Sequence, residues 1–299
     1  MEQGSNEAQQ LKKLLLTILC LIVFVNPTFG SSGFVSKKGN LSKEFAVDNP
    51  REKIILIYNH GSGEEWDKDN CYPEKLDYIW PKYGGTPSIL ANLSGETILG
   101  KIVLVYAFCS NEFRGNPDLP APSPGVSKQE KRQKAILGTV EKFLALGVPP
   151  NQIFLTGYSA GGWAALTLAA TAGEKFNAAI AFSPAFAGKW RSRSEGWEAF
   201  RAVQIDRIKS PANLQALVFA HPNDSFETPE SLVFLKEFEG VEFIELPRNP
   251  KRLGGKWCYY ANITWRIRDG HDIYQASCFQ IYAPRIVDYI QRRLKAAGD

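Results

Sequence analysis

Residues 153–163 read Ile153-Phe154-Leu155-Thr156-Gly157-Tyr158-Ser159-Ala160-Gly161-Gly162-Trp163. A short apolar run ends in G-x-S-x-G, and an alanine-rich, helix-prone stretch follows at once. Strand, sharp turn and helix in that order predict one serine held in a strained backbone conformation, its hydroxyl projecting from the sheet edge. Gly157 and Gly161 suit the places where strand and helix nearly touch, because a side chain at either would collide. The helix N-terminus aims free N–H groups at the same spot and favours negative charge there. A nucleophile beside an anion-stabilising site is the minimum equipment for acyl transfer, which makes Ser159 the candidate nucleophile.

Outward from this elbow, apolar β-branched runs alternate with helical patterns. Strands are expected at 53–58, 102–107, 178–182, 214–220 and 241–246, each dense enough in apolar residues to be buried on both faces. Helices are expected at 127–146, 162–172, 229–237 and near 274–294. Ser127 and Glu130 form a capping box for the first of these, and Gly147-Val148-Pro149-Pro150 stops it. Such alternation predicts an α/β fold: a mostly parallel, twisted sheet with helices on both faces and its site at the carboxyl ends of the strands. Residues 185–210 are too long for a minimal loop and carry Phe186, Trp190, Trp197 and Phe200 among charges. They fit either a small cap over the site or a surface helix packing its aromatics on the core.

A serine at its free pKa needs a neighbouring base, and the chain has three histidines. His271 lies in Arg268-Asp269-Gly270-His271-Asp272, at the end of the alternating series, where a loop is free to point at a site. His60 precedes a glycine at the end of the first strand, and His221 directly follows the 214–220 strand. The base needs a carboxylate to hold its tautomer. Asp224 emerges just past a buried strand; Asp206, Asp269 and Asp272 are its rivals, the last two crowding His271 in sequence.

The chain has 299 residues, ample for a large core, and its 35 Lys and Arg against 31 Asp and Glu are spread without a long basic run. That distribution argues against a nucleic-acid partner. Residues 1–30 have the order of a secretory signal: Lys12-Lys13, an apolar run Leu14–Val25, the breaker Asn26-Pro27, then small residues about Gly30. An uncleaved anchor is the competing reading of this segment. Residues 31–50 form a polar leader with at most one edge strand, and 51–299 a single catalytic domain. Cleavage would leave Cys71, Cys109, Cys258 and Cys278, an even number suited to two disulfides in any of three pairings. Nothing in their spacing suggests a zinc site. Asn40, Asn92 and Asn262 begin glycosylation sequons.

The order Ser159, Asp224, His271, with Gly157-Tyr158-Ser159-Ala160-Gly161-Gly162, Asn59-His60-Gly61-Ser62-Gly63 and Gly270-His271, resembles the α/β-hydrolase superfamily. Within it, the chain is similar to small secreted esterases of the dienelactone-hydrolase, feruloyl-esterase and polyhydroxyalkanoate-depolymerase type. The resemblance implies that Ser159 attacks an acyl carbonyl, His271 takes its proton and Asp224 orients His271. It implies an oxyanion held by the Ala160 N–H and by an N–H from either Gly61 or Ser62, with His60 shaping that turn. Where the family often has three glycines after the histidine, this chain has Gly-Ser-Gly, so the second donor stays open. The family sheet favours pairing Cys71 with Cys109 and Cys258 with Cys278, the latter bracing the His271 loop. The expected protein is a secreted or periplasmic serine hydrolase of carboxylic esters. It needs no metal or organic cofactor and no stable membrane span, and its partner is a small or polymeric ester. An oligopeptidase-type serine peptidase and a non-catalytic binding protein are the alternatives.

Overall fold

Alternate residues of each long strand belong to opposite layers of the core, the signature of a sheet covered on both faces. Ile55 and Ile57 pack in one apolar cluster, while Ile54, Leu56 and Tyr58 pack in the other. The computed structural model describes residues 33–35, 47–61, 88–108, 128–186, 197–210, 213–248, 252–253, 256–257 and 269–298. All of these fall in the unit Ser32–Asp299; residues 1–30, where a secretory signal is expected, lie outside the described residues.

The strands are β1 (Gly33–Val35), β2 (Lys53–Asn59), β3 (Thr97–Ile98), β4 (Lys101–Phe108), β5 (Ile153–Tyr158), β6 (Ala178–Phe182), β7 (Ala216–Ala220) and β8 (Val241–Glu245). They form one sheet in the order β1-β4-β2-β5-β6-β7-β8, every neighbour on that path parallel. The short β3 pairs antiparallel with the start of β4 through a tight turn at Leu99 and Gly100, where both φ angles are positive, 48° and 75°. A separate ribbon joins β9 (Arg252–Leu253) to β10 (Lys256–Trp257). The chain runs from β2 outward to β4, then crosses back to β5 on the other side of β2. The carboxyl ends of β2 and β5 therefore flank the point where the winding reverses, where open α/β sheets bind ligands.

The helices are α1 (Ser88–Ala91), α2 (Lys128–Ala145), α3 (Ala160–Thr171), α4 (Trp197–Lys209) and α5 (Ala283–Ala296). Side chains of α2, α3 and α4, among them Ile136, Phe143, Trp163 and Ile208, pack on one face of the sheet. Ile89 and Leu90 of α1, with Ile286, Tyr289 and Ile290 of α5, pack on the other. The architecture is the α/β-hydrolase arrangement expected from the sequence. Within residues 185–210, Phe186, Phe200, Ile205 and Ile208 join the cluster beneath α4, as the core-packing reading expects; residues 187–196, with Trp190, lie outside the described residues.

Two helices differ from expectation. The 229–237 helix reduces to a five-residue 3-10 turn, Val233–Glu237. Ser231 Oγ turns back onto the Thr228 carbonyl at 2.8 Å and the Glu227 carboxylate at 2.6 Å, a local bond that competes with helix formation. The closing helix is α5 alone, preceded by 3-10 turns at Gly270–Gln275 and Ser277–Tyr282 that extended Ala276 separates. Pro284 fixes where α5 begins, since a residue lacking an N–H fits the first turn and not the interior.

Candidate active site

Ser159 stands between β5 and α3 with φ 52° and ψ −122°, a conformation that costs a non-glycine residue on the order of 1–3 kcal/mol. Its surroundings hold it there. Its N–H donates to the Phe182 carbonyl at 3.1 Å, and its carbonyl accepts from Trp163 N at 2.9 Å and Ala185 N at 3.0 Å. Serine is a favoured helix cap, yet this hydroxyl makes no capping bond. Glycine is required where the backbones meet: a Cβ at Gly157 would lie 2.5 Å from the Gly161 carbonyl carbon, and one at Gly161 would lie 2.1 Å from the Asn59 oxygen. A third close approach was not evident in the sequence. A Cβ at Gly61 would stand 2.9 Å from the Tyr158 ring and 3.1 Å from Ser159 Cβ. The turn after β2 thus rests directly against the elbow.

The loops after β7 and before the 3-10 turn at 270–275 bring Asp224 and His271 together. His271 Nδ1 and Asp224 Oδ2 are 2.8 Å apart, and both residues are buried. The other carboxylate oxygen of Asp224 accepts from Phe226 N at 2.7 Å and Glu227 N at 3.1 Å. A carboxylate bonded in this way stays aimed at the ring, because neither oxygen is left to seek another partner. Burial works against a charged His271. The hydrogen bond and charge of Asp224, helped by the charges of Asp272 and Asp269, outweigh it and carry the His271 pKa above its ordinary value. The imidazole lies between two rings, with centroids 4.8 Å from Tyr158 and 4.4 Å from Phe226. Tyr158, next to Ser159 in the chain, also donates from its hydroxyl to Asp272 at 2.8 Å. The elbow and the histidine loop are therefore in direct contact.

Supporting residues surround the pair, one of them a rival carboxylate in another part and others not evident in the sequence. Asp269 does not buttress the His271 ring; its carboxylate accepts from His271 N at 2.9 Å, Ser225 N at 3.1 Å and the Ser225 hydroxyl. It sews the histidine loop to the aspartate loop through their backbones. Arg201 of α4 forks onto buried Glu227 at 3.1 and 2.8 Å, with its guanidinium carbon 5.8 Å from the Trp163 ring centroid. Burial raises the Glu227 pKa despite that pairing. A glutamate three residues beyond a candidate acid carries no such message in sequence, because its partner is 26 positions away.

His60 is buried, and its Nδ1 bonds the Gly61 carbonyl at 2.7 Å, consistent with a turn-shaping part. His221 accepts from Asn223 N at 2.9 Å, and burial lowers its pKa. Its ring also packs against the histidine loop, where a Cβ at Gly270 would lie 2.2 Å from its Nδ1. From α2, Gln129 donates to the Ala160 carbonyl at 2.9 Å and Arg132 donates to the His60 carbonyl. Ser62, Cys71, Cys109 and Cys258 lie outside the described residues, and with them the expected disulfide pairings; Cys278 is buried. Among the described residues, no helix is long and apolar enough to cross a membrane.

Sheet order and elbow give the chain the α/β-hydrolase fold, with Asp224 and His271 paired at its candidate site. Residues 120–230, which hold the elbow and Asp224, match the Esterase family model. Among solved structures, a thermostable esterase is similar at 20% identity over 82% of this chain, with a TM-score of 0.46; this chain spans 57% of its length. Est1E from Butyrivibrio proteoclasticus, with ferulic acid bound, is similar at 13% identity, covering 86% of this chain and 96% of its own, with a TM-score of 0.45. A SOBER1 variant from Arabidopsis thaliana is similar at 16% identity, covering 81% and 99%, with a TM-score of 0.41. No curated protein matches the chain.

Proposed function

We propose that this protein is a serine hydrolase that cleaves carboxylic esters through an acyl-enzyme. Ser159 Oγ attacks the ester carbonyl carbon while His271 Nε2 accepts its proton. Asp224 keeps the Nδ1 proton facing itself and stabilises the imidazolium as it forms. The tetrahedral oxyanion accepts hydrogen bonds from the Ala160 N–H and from the turn at Gly61. Collapse breaks the carbon–oxygen bond to the alcohol, which leaves with the proton from His271. Water then repeats the sequence on the acyl-enzyme, with His271 first as base and then as acid, releasing the carboxylic acid and restoring Ser159.

The observation that carries this reading is the Asp224–His271 hydrogen bond of 2.8 Å, formed against Tyr158 of the elbow. The match of residues 120–230 to the Esterase model supports esters over peptides. The test is a side-by-side assay of short-chain nitrophenyl esters and aminoacyl anilides, with fluorophosphonate labelling located by mass spectrometry. Ester turnover and a label on Ser159 are expected. Anilide turnover would make it a peptidase, and inertness to ester, anilide and probe would make it a binding protein. The order of residues 1–30 supports secretion, for which a mature N-terminus at Ser31 on the exported protein is the check.

A further inference from the structure

The motif G-x-S-x-G leaves the residue before the serine open, and in this chain that residue is Tyr158. Its backbone is fixed in the sheet, where Tyr158 pairs with Phe182 of β6. Its ring is confined too. It stacks on Tyr274 with centroids 4.0 Å apart, meets the His271 ring at 4.8 Å, and would stand 2.9 Å from a Cβ at Gly61. From that place its hydroxyl donates to Asp272 at 2.8 Å. Asp272 and Tyr274 share the 3-10 turn Gly270–Gln275 with His271, so the bond ends on the same short unit that presents the imidazole. It joins the residue before the candidate nucleophile to the residue after the proposed base.

We propose that Tyr158 is a positioning residue: as a strut anchored on Asp272, it sets the separation of Ser159 Oγ from His271 Nε2. The proposal rests on the serine-hydrolase reading above. Proton transfer needs the two atoms within about 2.6–3.2 Å, and a misplacement of about 1 Å can cost about 10²-fold in rate. Neither half of the site fixes that distance by itself. The main-chain partners of Ser159 are Phe182, Trp163 and Ala185, whereas Asp224, Asp269 and their donors hold the histidine loop. A tyrosine suits the task because its ring is rigid and two torsions place its hydroxyl. A carboxylate suits it as the anchor because charge-assisted hydrogen bonds are the strong ones. Asp272 also acts on the base by charge. Burial lowers the His271 pKa; the hydrogen bond and charge of Asp224 and the charges of Asp272 and Asp269 raise it. His221, packed at Gly270, has its own pKa lowered by burial. Position and charge can be separated: Tyr158→Phe removes the hydroxyl and keeps ring and carboxylate, while Asp272→Asn keeps an acceptor oxygen and removes the charge.

The wild-type protein is first assayed for ester turnover and titrated with a fluorophosphonate. Failure there ends the hydrolase reading itself, before any variant is made. Then kcat per titrated site, KM and the pH profile of kcat/KM are measured for Tyr158→Phe, Asp272→Asn, Asp272→Ala and the double variant Tyr158→Phe/Asp272→Ala. Tyr158→Phe should lower kcat per titrated site by about tenfold, with KM within about twofold and the acid limb in place. Asp272→Asn should do the reverse, moving the acid limb down while kcat on the alkaline plateau stays within about threefold of wild type. Asp272→Ala removes the anchor and should match Tyr158→Phe on the plateau, and the double variant should lose no more than either alone. A kcat per titrated site within about twofold of wild type in Tyr158→Phe would overturn the proposal, as would losses that multiply in the double variant. So would a plateau that falls as far in Asp272→Asn as in Tyr158→Phe, since the effect would then belong to charge. If Tyr158→Phe gives no titratable protein, Asp272→Ala and Asp272→Asn decide the matter: plateau loss in the alanine variant alone supports the strut, and equal plateaus in the two overturn it.

Discussion

The candidate nucleophile and the proposed base are secured by different means. Ser159 is held by main chain: three amide bonds, a positive φ and glycines whose neighbours leave no room for a methyl group. Asp224 and His271 are held by side chains, chiefly two carboxylates: Asp224 takes donors from its own loop and pairs with the His271 ring, and Asp269 takes them from both loops. The elbow therefore has one shape or none, whereas the acid–base half can be dismantled one bond at a time. Substitutions should divide along the same line.

The largest effect is expected at the candidate nucleophile. Ser159→Ala should lower kcat by up to about 10⁶-fold with the fold intact, read by ester turnover alongside circular dichroism. Asp224→Asn leaves the geometry but favours the wrong tautomer, and kcat should fall about 10⁴-fold. Loss comparable to that of Ser159→Ala would mean that the two halves are not separable.

Stability distinguishes the halves next. Gly161→Ala must displace the Asn59 backbone, which forbids a partial effect, so loss of soluble folded protein is expected. Arg201→Leu leaves Glu227 buried without its cation and should cost about 3–5 kcal/mol by urea unfolding. Protein that keeps wild-type stability would show the fork to be dispensable.

The smallest changes concern Asp269 and pH. Asp269→Asn weakens the stitching of two loops by about 1.5–3 kcal/mol, seen as roughly 10–100-fold lower kcat/KM, whereas an unchanged value would remove Asp269 from the site. The pKa of His271 is raised, and the base must be neutral to act. The acid limb of kcat/KM against pH should therefore lie above the ordinary value of 6.5. Asp224→Asn should bring the limb down, because the strongest of the effects that oppose burial is then lost and only the charges of Asp272 and Asp269 remain against it. The sign for stability is opposite: the Asp224–His271 pair stabilises fully below pH 6.5, and its contribution is lost as pH rises through the raised folded value. A thermal midpoint that shows no such decline would contradict the assignment.

This division also explains what the sequence disclosed. G-x-S-x-G is a backbone requirement written as glycines at fixed spacing, so strand, turn and helix were legible together. The buried strands were legible because apolar β-branched runs leave few alternatives. Asp224 and His271 emerged from strand-end position and chain order. Asp269 was set aside because its closeness to His271 bars it from the ring, yet the same closeness lets it bind the His271 amide. Tyr158, Phe226 and the Arg201–Glu227 fork depend on contacts between distant segments that no local pattern records. The hairpin at Leu99-Gly100 escaped notice because its strand β3 has two residues and no periodicity to display.

The φ of 52° at Ser159 limits which chemistries this scaffold can adopt. A residue branched at Cβ is a genuine outlier there, so threonine is closed as an alternative nucleophile although it too offers a hydroxyl. Cysteine, unbranched like serine, fits the same backbone. The accessible change of trade at this position is from oxygen to sulfur, and not from one alcohol to another.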